Sequence, residues 1–138
     1  MRAALLGLLL SFAAGIANAA DTPQSVVGIW YGRGQPVDER EDFIDHFRAD
    51  GSFVSFFRKY EKCELQWQFS QTGHWRLEGL TLITNVKTAA GKPVARMERY
   101  GVEFTAPREL HVRHIETNYL FRMRRQENYR FPLCEPGV

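Results

Sequence analysis

The chain has 138 residues, 44% of them hydrophobic, 25% charged and 13% aromatic, with a formal net charge of +2. One domain fits that length and two ordinary ones do not, and the apolar and charged fractions exclude disordered, collagen-like and low-complexity chains. So small a net charge gives no support to nucleic-acid binding.

The first segment in chain order reads as an address. Met1-Arg2 supplies one positive charge, residues 3–17 are uncharged and rich in Leu and Ala, and Ala17-Asn18-Ala19 is a small-x-small cleavage site. Residues 1–19 are therefore predicted to be a signal peptide, leaving 20–138 as the domain, with 17 basic and 16 acidic side chains. As a membrane anchor the same run would be at the short limit, broken by Gly7, Ser11, Gly15 and Asn18. No cysteine adjoins the cleavage site to carry a lipid, and no later apolar run is long enough to span a bilayer. The expectation is a periplasmic or secreted protein with no integral membrane segment after cleavage. In an oxidising compartment its two cysteines, Cys63 and Cys134, most simply form one disulfide. That bridge would pin the tail, residues 129–138, onto the body.

The rest of the chain alternates with period two, the repeat of a half-buried strand. Gly28, Gly32, Gly34 and Pro36 break up the first part, and Gly32-Arg33-Gly34 is a loop fragment without the strand–helix context of a phosphate site. Phe43, Asp45 and Phe47 share one parity. After Asp50-Gly51, a pair suited to a tight two-residue hairpin turn, so do Phe53, Ser55 and Phe57. Leu65 to Ser70 alternates without a break. Thr72-Gly73 is predicted to turn into Trp75 and Leu77, Glu78-Gly79 into Leu80 and Leu82, and Gly91-Lys92-Pro93 into a run where Tyr100, Val102 and Phe104 alternate. Pro107-Arg108 turns into Leu110, Val112 and His114, and Thr117-Asn118 into Tyr119, Phe121 and Met123. Eight or nine strands at spacings of about 8–12 residues, with no helical stretch, predict an all-β domain. A meander of this size is most stable as a closed antiparallel up-and-down barrel, which has no exposed edges. At about eight strands the interior is either packed solid or holds one small ligand.

Several of these motifs resemble a known family. Gly28-Ile29-Trp30 is similar to the G-x-W opening of the lipocalin and calycin barrels. Phe47-Arg48-Ala49-Asp50-Gly51-Ser52-Phe53 resembles the F-x-x-D-G-x-F hairpin of small bacterial lipocalin-like domains, and Gly73-His74-Trp75 with Leu80-Thr81-Leu82 their next strand pair. The resemblance covers most of residues 26–126. It implies a lipocalin-like barrel in which an arginine from the last strand, Arg122, Arg124 or Arg125, lies over Trp30, and in which a tail cysteine is bridged to the barrel. Two features of larger lipocalins are missing: a T-D-Y-type loop motif and a helix after the last strand.

Catalytic signatures are absent: there is no G-x-S-x-G, no phosphate loop, no H-E-x-x-H and no C-x-x-C. His111 and His114, three apart on a strand, point to opposite faces and cannot share a metal, and neither a metal nor a cofactor is predicted. Asp45, Ser55 and His114 are polar residues on the predicted interior parity. They are either handles for a ligand or groups satisfied at strand ends or within a packed core. Phe57, Trp67, Tyr100 and Phe104 are candidate walls. Residues 38–50 carry a net charge of −4 and residues 108–130 one of +3; the two stretches either pair across strands or form separate faces for charged partners. The function expected is non-enzymatic binding of a small hydrophobic or amphipathic ligand. The alternative is a protein-binding barrel with a packed core, such as a secreted inhibitor, immunity or envelope accessory protein.

Overall fold

The computed structural model describes residues 25–34, 38 and 40–134, apart from the side chain of Thr105. The predicted signal peptide lies outside the described residues, as do Glu39 and Pro136. Eight strands follow in order: β1 (Gly28–Gly32), β2 (Glu41–Phe47), β3 (Ser52–Glu61), β4 (Glu64–Glu78), β5 (Thr81–Ala89), β6 (Lys92–Ala106), β7 (Glu109–His114) and β8 (Leu120–Gln126). Each pairs antiparallel with its successor, and β8 returns to β1, with Ile29 opposite Gln126 and Gly32 opposite Met123, to close the barrel. The all-β up-and-down barrel is as expected and is compatible with a lipocalin-like fold. No helix among the described residues is long and apolar enough to cross a membrane.

Two local expectations are corrected. Thr72-Gly73 is not a turn: β4 runs straight through it with a bulge against β5, which is why the strands number eight. A Cβ on Gly73 would stand 1.9 Å from the Asn85 carbonyl oxygen, so the bulge brings two backbones together where only glycine fits. The Asp50-Gly51 hairpin has a three-residue loop rather than a two-residue one. Arg48 N–H donates to the Ser52 carbonyl at 2.9 Å, and Gly51 N–H to the Arg48 carbonyl at 3.1 Å. Only Gly51 takes a positive φ, 86°, while the Asp50 carboxylate accepts from the Ser52 amide (2.9 Å) and hydroxyl (2.6 Å). That side-chain bond favours the wider turn. Two-residue turns with both φ positive occur instead at Lys62-Cys63 and Ala90-Gly91.

The barrel has a sealed and an open end. At the sealed end Val26, Trp30, Phe47, Phe53, Leu82, Leu110 and Met123 are buried together. Trp30 is fully buried, and its Nε1–H donates to the Val26 carbonyl at 2.7 Å. Of the three candidate arginines, Arg125 covers it, with the guanidinium 4.3 Å from the ring centroid and bonded to the carbonyls of Val27 (2.9 Å) and Ser25 (3.1 Å). Gly28 leaves room for this, since a Cβ there would meet the guanidinium at 2.2 Å. Arg124 lies 5.0 Å over Tyr31, and Arg122 lines an outer groove.

Tyr31, Ile44 and Val54 have outward parity yet are buried. The tail after β8 covers this face. The Tyr129 ring packs on His46 and Phe56, its hydroxyl bonds His46 Nδ1, and the Phe131 ring meets Tyr31 edge-on. The Arg58 guanidinium sits 4.0 Å over Phe131 and donates to the Pro132 carbonyl at 2.7 Å. The Cys63–Cys134 disulfide, with a Cα–Cα distance of 5.5 Å, anchors the tail to the β3–β4 turn.

Among the described residues, the ion pairs of the acidic stretch are made with β3 and with its own Arg40 rather than with basic side chains of the 108–130 stretch. Asp38 bonds Lys59 (2.5 Å) and Arg40 (3.1 Å), which hold its carboxyl well below the usual range, and Asp42 bonds Arg58 at 3.4 Å.

Candidate functional site

Above the sealed core the strands enclose a cavity of about 290 Å³ that opens at the opposite end. In-register rows of alternate residues build its wall, because period two sends every second side chain of each strand inward. One row is Phe43, Phe57 and Phe69, on β2, β3 and β4. Their rings continue on both sides into an aromatic belt. Trp67 lies 5.4 Å from Phe69, which stacks on Phe57 at 5.0 Å, while Phe43 meets Phe121 at 6.0 Å and Phe121 meets Tyr100 at 6.3 Å. Below it, the row Asp45, Ser55 and Gln71 crosses the same three strands, and Thr84 reaches in from β5. Glu41, Arg96 and Glu98 stand on the wall as well, with Arg96 and Glu98 paired at 2.9 Å.

Asp45 is the electrostatic centre of this arrangement. Burial among aromatic walls pushes its carboxyl up to about 6, and a hydrogen bond donated by Ser55 works against that rise. No cation forms an ion pair with it among the described residues. Tyr100, mostly enclosed, has its hydroxyl raised by burial and by the negative charges of Glu98 and Asp45.

Five of the seven candidate ligand-binding residues lie together on this wall: Asp45, Ser55, Phe57, Trp67 and Tyr100. Phe104 and His114 do not. Phe104 has the right face but the wrong depth, packing against the core toward the sealed end of β6. His114 sits behind Tyr100, its ring 5.2 Å away, with Nε2 2.6 Å from Glu98 and Nδ1 2.7 Å from Thr117.

Phe69, Gln71, Thr84, Glu41, Arg96 and Glu98 are wall residues that the sequence does not single out. Phe69 was findable, since it shares parity with Trp67 in an unbroken alternating stretch. The charged three depend on how far β2 and β6 extend, which alternation does not reveal. His114, Glu98 and Glu116 also present ligand atoms within 4.8 Å of one another, a spacing that could hold a metal ion. Both carboxylates already face arginines, Arg96 at 2.9 Å and Arg99 at 3.6 Å. Histidine spacing does not mark this cluster, because its other members are glutamates brought in by the fold. His111 pairs instead with Glu109 at 3.4 Å.

No protein-family model matches the chain, and no curated protein matches its sequence.

Proposed function

We propose that the chain is an exported lipocalin-like protein of the calycin superfamily that binds a small hydrophobic or amphipathic molecule in its barrel without transforming it. The observation that carries this reading is the cavity, about 290 Å³, walled by a continuous aromatic belt and open at one end. Its size is near the low end for small-molecule sites, so the ligand is compact rather than a long acyl chain. A mostly apolar wall with a few placed polar groups is the usual composition of such sites. The glycine–tryptophan–arginine closure of the other end supports the family reading, and the signal-like leader and the disulfide support a periplasmic or secreted location.

Titration with the apolar fluorophore N-phenyl-1-naphthylamine tests the reading. Saturable one-to-one enhancement is expected, and Thr84→Phe, which fills the cavity from β5, is expected to abolish it while leaving the β-sheet circular dichroism intact. Enhancement that never saturates, or that survives the filled cavity, would count against the proposal.

A protein-binding role has one observation in its favour. Arg33, Arg122 and Arg124 gather with Tyr31, Pro132 and Glu109 around an outer groove, where three guanidinium groups against one carboxylate suit an acidic partner. Capture of such a partner from cell-envelope extract, lost on Arg122→Glu, would support that role.

A further inference from the structure

We infer that the cavity selects a ligand carrying a cationic amine, whose ammonium group pairs with Asp45 while its apolar body lies within the aromatic belt. The inference rests on the proposal that the cavity binds a small molecule, and it names the chemical class.

Three observations carry it. First, Asp45 faces the cavity from the middle of β2, with Ser55 as its hydrogen-bond partner and no ion-pair partner among the described residues. A carboxylate kept out of bulk water without a counter-charge is costly, and a cation delivered by the ligand removes that cost. Second, the wall is electronegative. Glu41, Asp45 and Glu98 are its acidic members, and Arg96, already held by Glu98 at 2.9 Å, is its one basic member among the described residues. An anionic ligand would meet repulsion on entry, and a cationic one attraction. Third, the surfaces a cation would pass are aromatic faces and edges: Trp67, Phe69, Phe57, Phe43, Phe121 and Tyr100. An ammonium ion is attracted to aromatic faces, which also give the organic body its contact area.

The site also implies release in acid. Among the described residues, the titratable and charged groups that share the cavity wall with Asp45 are Glu41 on its own strand and Arg96, Glu98 and Tyr100 on β6, with His114 behind Tyr100. Burial moves the ionisation of Asp45 toward neutrality from below. A primary amine stays protonated throughout this range, so protonation of Asp45 alone removes the ion pair.

Calorimetry with tryptamine, tryptophol and indole-3-acetate separates the charge requirement from cavity binding, because the three share an indole and differ in the terminal group. At pH 8 tryptamine is expected to bind at least about tenfold tighter than tryptophol, and indole-3-acetate weakest. Tryptamine affinity is expected to fall about tenfold between pH 8 and pH 5, with tryptophol nearly unchanged. Asp45→Asn, isosteric and uncharged, is expected to bring tryptamine down to tryptophol and to abolish the pH effect. Asp45→Ser provides a second variant with the same expectation. Equal binding of tryptamine and tryptophol would overturn the amine inference and leave cavity binding standing. Failure of all three to bind would overturn both. A pH effect that persists in Asp45→Asn but disappears in His114→Gln would move the switch to the His114–Glu98 pair and overturn the role of Asp45.

Discussion

Asp45 ties stability to ligand chemistry at the scale of one side chain. Its carboxyl titrates near 6 in the folded barrel and near 4 in an unfolded chain, so between those values the folded state holds more protons. Stability therefore falls as pH rises from about 4 to about 6 and levels off above, by an amount on the order of 3 kcal/mol. Asp45→Asn removes the penalty. Urea unfolding is expected to show the variant matching or trailing wild type at pH 4 and gaining on it by about 2–3 kcal/mol by pH 7.5. A stability difference independent of pH would mean that Asp45 is not desolvated. Arg125 acts at the other end of the barrel by stacking on Trp30 and bonding two carbonyls. Arg125→Ala is expected to cost about 2 kcal/mol in the same assay, and Arg125→Lys to recover only part, because an ammonium cannot reproduce the planar fork.

At the scale of strands and turns, glycines separate backbone constraint from side-chain packing. Gly73→Ala drives a Cβ into the Asn85 carbonyl at the β4 bulge and is expected to cost more than about 2 kcal/mol. Gly101, in β6 beside open space, is the control, and its alanine variant should unfold within about 1 kcal/mol of wild type. The tail is an element too, although it is not a strand. The bridge closes a separation of 71 residues, and its loss is expected to cost up to about 4 kcal/mol. Cys134→Ser should lower the urea midpoint and expose the outward-facing Tyr31, Ile44 and Val54 to faster amide exchange. Unchanged exchange there would show that Tyr129 and Phe131 hold the tail without the disulfide. Alternation made most of these elements readable in advance, because Phe43 to Phe47 and Leu65 to Ser70 write the barrel's two faces directly into the chain. At two places turn geometry was not readable. The Asp50 side chain selected a wider loop than its Asp-Gly pair suggests, and Gly73 marks a bulge where it reads as a turn.

For the whole molecule, closure converts eight local alternations into an interior with a sealed core and an open cavity. Parity tells which side chains point inward, and it brought Asp45, Ser55, Phe57, Trp67 and Tyr100 to the same wall. It carries no information about depth along the barrel axis. Phe104 therefore falls in the packed half with the right parity, and His114 falls behind the wall, where Glu98 from a neighbouring strand engages it. Whether the interior is hollow depends on how side-chain volumes sum around the whole barrel, and no single stretch of sequence contains that. The central claim, that the hollow half receives a small molecule, is tested most directly by a ¹H–¹⁵N NMR titration with uncharged tryptophol. Saturable shifts are expected, concentrated on the amides of Asp45, Ser55, Gln71, Thr84 and Tyr100. Shifts confined to the outer face around Arg33, Arg122 and Arg124, or none at saturating probe, would contradict it.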